Sequence, residues 1–216
     1  MFLGHLAVAL AAKRAAPRVS LGTLFTAAQL PDLIWPVLVL TGAEQVVIRP
    51  GSTAFTPLDF VSYPWSHSLL MVALTASIAG VVYNWRTKNI SGAVVIALLA
   101  VSHWVLDWIS HRPDMPLVPG GALYGLGLWN SIPATLLVEG TMFLAGVVLY
   151  ARGTAAVDRT GRYAFWSLIV FLSGIYVADR FSAPPPSDRA IAWVGAFAGV
   201  VLFLWGAWAD RHRRTK

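Results

Sequence analysis

Hydrophobic residues fill long stretches of this chain, and short polar segments separate the stretches. Each stretch is about as long as the ~20-residue helix that a bilayer requires. The pattern predicts six spans, at residues 20–42, 65–84, 91–110, 131–151, 163–180 and 190–209. A shorter apolar stretch, MFLGHLAVALAA, predicts a half-buried or re-entrant helix at the N-terminus. We therefore expect an all-α, polytopic transmembrane helical bundle in which residues 1–216 form a single integral membrane domain.

Composition narrows the class of protein further. Hydrophobic residues make up 57% of the chain and charged residues only 12%, which is too apolar for a soluble domain of this length. The chain has no cysteine, so disulfides and thiolate metal ligands are excluded. The net charge of +6 is better explained by loops that orient a membrane protein than by nucleic-acid binding, because no nucleic-acid motif is present.

The basic residues divide the predicted loops into two unequal sets. One set of loops holds Arg49, Arg112, Arg180 and Arg189. The other holds Lys13, Arg14, Arg18, Arg86, Lys88, Arg152, Arg159, Arg162, Arg211, Arg213, Arg214 and Lys216. Basic loops stay in the cytoplasm. We therefore expect an integral protein of the bacterial inner (plasma) membrane with a cytoplasmic C-terminus, and with loops 43–64, 111–130 and 181–189 outside.

Three ionisable residues interrupt the third predicted span. His103, Asp107 and His111 are spaced four residues apart, so a helix presents them as one stripe. Burying such groups in hydrocarbon costs about 2.5 kcal/mol or more, which makes an intramembrane ionisable residue a functional-site hypothesis. Imidazole and carboxylate are the ligands expected for zinc, manganese, iron or nickel where sulfur is absent. A bound divalent cation would offset the cost of burial.

Other ionisable residues lie at depths from which they can join this stripe. They are His5, Asp32, His67 and Glu139. Pro31 and Pro36 flank Asp32 and weaken the local backbone ladder, as in helices that line ligand sites. Lys and Arg avoid the spans, so a shared metal ion explains the set better than an internal salt bridge. His5 reaches the set only if the N-terminal helix enters the bundle.

The order of these residues resembles a known family. His5, the LPD of Asp32, the SHS of His67 and the SHWVLD of His103 and Asp107 resemble the LexA-regulated, YdjM-like membrane-bound metal-dependent hydrolases. That family is itself distantly similar to zinc-dependent phospholipase C. The resemblance covers roughly residues 1–115 and implies that these five residues ligate metal. It extends less directly to His111 and Glu139. The family's Arg-Gly pair before the second His is missing here, which leaves Arg112 as the candidate for phosphate binding.

The sequence therefore favours a membrane-embedded metal-dependent hydrolase acting on a phosphoester or a lipid-like amphiphile. The expected cofactor is a divalent metal, with zinc as the first candidate. Asp32 and Glu139 are the candidate catalytic residues. Two alternatives stay open at this point. Intramembrane His and acids also build metal-ion or proton transporters, and a metal can brace a bundle without catalysis.

Overall fold

The computed structural model describes residues 1–216, and α-helices dominate it. The helices are α1 (Phe2–Ala12), α2 (Leu21–Ala28), α3 (Leu30–Leu40), α4 (Pro64–His67), α5 (Leu69–Thr87), α6 (Ile90–Ser110), α7 (Ile132–Gly153), α8 (Arg159–Ala178) and α9 (Asp188–Arg211). Helices α5 to α9 are long and apolar enough to cross a membrane, and the bent pair α2–α3 makes a sixth candidate span. The predicted all-α bundle with a short N-terminal helix is thus confirmed.

The first predicted span is broken into two helices. Helix α2 begins after Ser20, whose hydroxyl accepts a hydrogen bond from the Thr23 amide, and it ends at Ala28. Gln29 leaves helical geometry, and α3 continues at an angle of 57° to α2. Pro31 occupies the first turn of α3, where its missing N–H costs no hydrogen bond. The bend leaves the backbone carbonyl of Ala28 open to a side-chain donor.

The second predicted span is also interrupted near its start. Helix α4 is a single turn that ends when Ser68 adopts an extended backbone with ψ 142°. The Ser68 hydroxyl then accepts a hydrogen bond from the Met71 amide and starts α5. His67 therefore lies on a separate turn, and its ring does not follow the face of the long helix behind it.

Helix α1 runs inside the bundle. It packs mainly against α7 and also contacts α2 and α6, and the side chains of Leu6 and Leu10 are fully buried. Gly146 of α7 allows this close crossing, because a Cβ atom there would lie 2.5 Å from the backbone oxygen of Ala7. The sequence predicted a half-buried or re-entrant helix, and α1 is more completely covered than that. Its position brings His5 into the bundle.

One end of the bundle, the hairpin end, is covered by two short antiparallel hairpins. Strand β1 (Gln45–Ile48) pairs with β2 (Leu58–Ser62), and β3 (Met115–Pro116) pairs with β4 (Leu123–Tyr124). The loop before α7 joins them, since the Phe55 amide donates to the carbonyl of Trp129 at 2.9 Å. Hydrophobic periodicity did not predict these strands, because two to five residues are too few to show a period.

The opposite end, the basic end, gathers the other loops. Strand β5 (Thr154–Ala156) pairs with β6 (Arg213–Thr215). Asp210 accepts hydrogen bonds from Lys13 Nζ at 2.6 Å and from the Tyr150 hydroxyl at 2.7 Å. The Gly161 amide and the His212 ring hold the pKa of the exposed Asp158 carboxyl below its usual value. The loops rich in Lys and Arg therefore lie together at the basic end, and the loops with few basic residues lie at the hairpin end, as the sequence predicted.

Candidate functional site

Two imidazoles and two carboxylates meet toward the hairpin end, and we call this group the donor cluster. It consists of Asp32 on α3, His67 on α4, and His103 and Asp107 on α6. His103 Nε2 lies 2.9 Å from Asp107 Oδ2 and 3.7 Å from Asp32 Oδ1. His67 Nε2 lies 3.4 Å from Asp32 Oδ1 and 3.8 Å from Asp107 Oδ2. The sequence predicted that these four residues converge, and the structure brings them together.

Three side chains of the donor cluster are buried, and the fourth is partly exposed. His67, His103 and Asp107 are each at most 3% exposed. The Asp32 side chain, by contrast, is 40% exposed. A molecule from outside the protein therefore meets the cluster at Asp32 first.

A hydrogen bond fixes which nitrogen of His103 carries its lone pair. His103 Nδ1 lies 2.7 Å from the carbonyl oxygen of Ala28, which can only accept, so Nδ1 carries the proton. In the neutral ring, Nε2 then points into the cluster as an acceptor. Nε2 is buried and has no aligned hydrogen bond, although Asp107 Oδ2 is only 2.9 Å away. Two buried acceptors this close need a cation or a proton between them.

The ring of His67 is oriented with Nε2 toward the donor cluster by Glu44, a buried acid that was not predicted from the sequence. Glu44 accepts hydrogen bonds from the Trp65 and Ser66 amides at 2.8 Å and from the Ser66 hydroxyl at 2.6 Å. Since that hydroxyl donates to Glu44, it accepts from His67 Nδ1 at 2.6 Å. His67 Nε2 then carries the lone pair toward the cluster. A carboxylate that orients a histidine indirectly is typical of metal sites.

The second oxygen of Asp107 is already engaged. Oδ1 accepts a hydrogen bond from the Met1 amino group at 2.5 Å and lies 3.1 Å from His5 Nε2. The His5 ring stacks on His103, with ring centroids 3.8 Å apart and planes at 7°. His5, His103 and Asp107 also lie close enough together to hold an ion. His103 Nε2 has one lone pair, however, and can serve only one ion. His5 therefore either turns Asp107 Oδ2 toward the cluster or binds the same ion as His103 and Asp107.

The spacing of the donor cluster is compatible with a small divalent cation. Zinc binds nitrogen and oxygen at about 2.0–2.2 Å in a tetrahedron, so ligand atoms lie roughly 3.3 Å apart. The four separations reported above range from 2.9 to 3.8 Å around that value. Two imidazoles and two carboxylates also supply the donors that zinc, manganese and iron accept. Asp32, His67 and His103 lie close enough together to hold an ion, and Asp107 Oδ2 lies within 3.8 Å of both imidazole nitrogens.

Glu139 does not join the donor cluster. Its Oε2 accepts hydrogen bonds from the amides of Leu3 and Gly4 at 2.8 and 3.4 Å, while Oε1 is buried without a partner. A carboxylate at the first turn of a helix pairs with its free amides and its dipole. The structure thus gives Glu139 a contact that positions α1, and through α1 it positions His5.

His111 is separated from the donor cluster because α6 ends at Ser110. The backbone of His111 is extended, with ψ 151°, so the stripe of side chains stops after Asp107. His111 Nδ1 lies 2.9 Å from Asp114 Oδ1, and the Tyr63 hydroxyl donates to the same oxygen at 2.7 Å. Burial and the Asp114 charge raise the pKa of Tyr63, which keeps its hydroxyl a donor. His111 belongs to a hydrogen-bond network that covers the hairpin end.

Arg112, the candidate phosphate ligand, is also occupied elsewhere. Its guanidinium contacts the Asp59 carboxylate and lies 3.3 Å from Asp114 Oδ2 and from Ser52 Oγ. Asp59 also pairs with Arg49. The positive charge of Arg112 is therefore matched within the loops of the hairpin end.

The comparisons with known proteins add no family to this geometry. No protein-family model, no curated protein and no solved structure matches the chain. What the donor cluster can do follows from its own residues, their burial and their hydrogen bonds.

Proposed function

We propose that this protein is a membrane-embedded metal-dependent hydrolase of phosphoesters or of lipid-like esters. Asp32, His67, His103 and Asp107 would hold one divalent ion, with zinc as the first candidate. The observation that carries the proposal is the orientation of the two imidazoles, whose lone pairs face two carboxylates in a buried site with one exposed member. The order of these residues also supports it, through the resemblance to membrane-bound metal-dependent hydrolases.

Asp32 is the residue best placed to move a proton. Its Oδ1 faces the two imidazoles, and its second oxygen has no hydrogen-bond partner in the chain. A bound divalent ion supplies Lewis acidity, which polarises an ester oxygen and acidifies water. Asp32 would accept the proton of water while the water oxygen bonds to phosphorus or carbon. The same carboxyl would return that proton to the oxygen of the broken ester bond.

We infer the side of the membrane from the charges at the two ends. Twelve of the sixteen Lys and Arg residues belong to the loops of the basic end. The basic end would therefore be cytoplasmic, together with the C-terminus, in a bacterial inner membrane. The donor cluster would then open near the outer face, within reach of lipid head groups.

The contacts within the bundle give less support to a transport function than to hydrolysis. An ion pathway needs polar steps from one end of the bundle to the other. Between His5 and Lys13, α1 contributes only apolar side chains, and Leu6, Ala9 and Leu10 are fully buried. Along α1, this apolar stretch separates His5 from the polar contacts of Lys13 at the basic end.

The proposed function is tested by metal depletion and reloading of the full-length protein in detergent. We expect purified protein to hydrolyse a p-nitrophenyl phosphodiester, a p-nitrophenyl acyl ester or phospholipid vesicles. Activity should disappear after chelation and return on adding Zn²⁺ or Mn²⁺, because the ion supplies the Lewis acid. Stoichiometric metal without hydrolysis of any of these three classes would contradict the proposal. Metal-dependent ion flux into vesicles would favour transport instead.

The Glu44–Ser66–His67 chain gives a prediction with a matched control. Replacing Ser66 with alanine removes the acceptor for His67 Nδ1 and should weaken metal binding by about 10- to 100-fold, as expected for an outer-shell partner. Ser68→Ala is the control, since that hydroxyl only starts α5. Metal titration of both variants in detergent provides the measurement. Equal affinities in the two variants would show that Ser66 does not orient a ligand.

A further inference from the structure

A groove in the part of the bundle that faces the membrane has no role in the proposed hydrolysis. It lies between α7 and α8 and has a volume of about 590 Å³. The two helices follow each other in the chain but have few direct contacts, because α7 packs on α1 and α8 packs on α9. Leu3 of α1 closes the floor, and residues such as Phe143, Val147 and Ile169 form the walls.

The walls of the groove identify the chemical class of its occupant. Leu144, Trp166 and Val177 line it and are 64%, 47% and 53% exposed, so the groove opens toward the surrounding membrane. The only ionisable side chains that line it are Arg152 and Tyr176. From Gly140 to Arg152 the groove follows α7 for about 18 Å, which is close to half the thickness of a bilayer core. Those dimensions match one lipid acyl chain.

Arg152 indicates the charge of the head group that the groove would bind. It lies at the basic end of the groove, is exposed, and makes no ion pair or hydrogen bond within the chain. No Asp or Glu lines the groove. A basic residue at the mouth of a cleft between spans is the arrangement that binds the phosphate of anionic lipids. The apolar stem of Arg152 can lie along the acyl chain while its guanidinium reaches the interface.

We propose that the α7–α8 groove binds an anionic phospholipid from the leaflet at the basic end. The phosphate would pair with Arg152, and one acyl chain would lie between α7 and α8 as far as Gly140. This lipid would stabilise the junction of two spans that barely contact each other. The inference is independent of the proposed hydrolase, because the donor cluster shares no residue with the groove.

The test is native mass spectrometry of the full-length protein, titrated with phosphatidylglycerol or with phosphatidylcholine of the same acyl chains. We expect wild type to retain one phosphatidylglycerol, and Arg152→Gln to retain it about fivefold less strongly. Arg159→Gln is the matched control, since Arg159 is exposed at the same end but does not line the groove. Gly140→Leu should also reduce retention, because a Cβ atom there meets nothing within 4 Å and the side chain would fill the groove.

Three outcomes would overturn the proposal. One is equal retention of both lipids by wild type, because the groove would then not distinguish an anionic head group from a zwitterionic one. Another is an equal effect of Arg152→Gln and Arg159→Gln. The third is lipid retention that falls when Tyr176→Phe removes a buried hydroxyl without a partner, but that is unchanged in Arg152→Gln. That result would mean that the lipid enters from the leaflet at the hairpin end. Metal content should be unchanged in all of these variants.

Discussion

Replacing His103 with alanine should remove stoichiometric metal from this protein. His103 Nε2 is within 3.7 Å of both cluster carboxylates, and its other nitrogen is fixed by the Ala28 carbonyl. Loss of a direct ligand should weaken binding by more than the roughly 10- to 100-fold that outer-shell partners contribute. Elemental analysis of the purified variant after dialysis measures the effect directly.

His111→Ala is the matched control for that experiment. His111 lies just beyond the same helix, but it contacts Asp114 and Tyr63 and not the donor cluster. We expect this variant to keep the metal content of wild type. Equal losses in the two variants would contradict the geometry, because metal binding would then depend on the hairpin end as a whole.

The second large effect is expected at Asp32. Asp32→Asn keeps an oxygen donor but removes the carboxylate that would accept a proton, so hydrolysis should fall about 10²- to 10⁴-fold. Metal content should fall much less than in His103→Ala. Rates with a p-nitrophenyl ester and metal content, measured on the same preparation, separate the two roles.

Asp179→Asn provides the control for Asp32→Asn. Asp179 is exposed at the hairpin end, pairs with its neighbour Arg180 and makes no hydrogen bond or ion pair with a histidine. Its replacement should leave both the rate and the metal content unchanged. Full activity in Asp32→Asn would remove Asp32 from the chemistry, and the proposed mechanism would fail with it.

The spans and their order could be predicted from the sequence because hydrocarbon imposes one length and one composition on each helix. The start of α7 could be predicted too, since Ser131 accepts a hydrogen bond from the Ala134 amide as an N-cap. The division of basic residues also predicted which loops would share an end. These signals are local or periodic, so a single sequence carries them.

The site could be predicted only in part. His103 and Asp107 share a helical face, and their spacing of four residues shows it directly. Glu44 could not be found this way, because it lies in a loop 23 residues before His67 and reaches it only through Ser66. That contact depends on how α4 folds back on the chain. Nothing in the local sequence encodes it.

His111 illustrates the opposite case, in which a periodic signal extends too far. The spacing of four residues continues from Asp107 to His111, but Pro113 follows two residues later. A proline disfavours helical geometry in the residue before it, and α6 ends at Ser110. The ring of His111 therefore turns to Asp114. Helix termination decided its position, and the spacing alone could not.

Metal binding by the donor cluster is tested most directly by X-ray absorption at the metal edge of purified wild-type protein. We expect about one ion per chain, bound by nitrogen and oxygen at roughly 2.0–2.2 Å, with two imidazoles and no sulfur in the nearest shell. Chains without stoichiometric metal after purification and reloading would contradict it. So would an ion whose spectrum shows no imidazole, because His67 and His103 would then not be ligands.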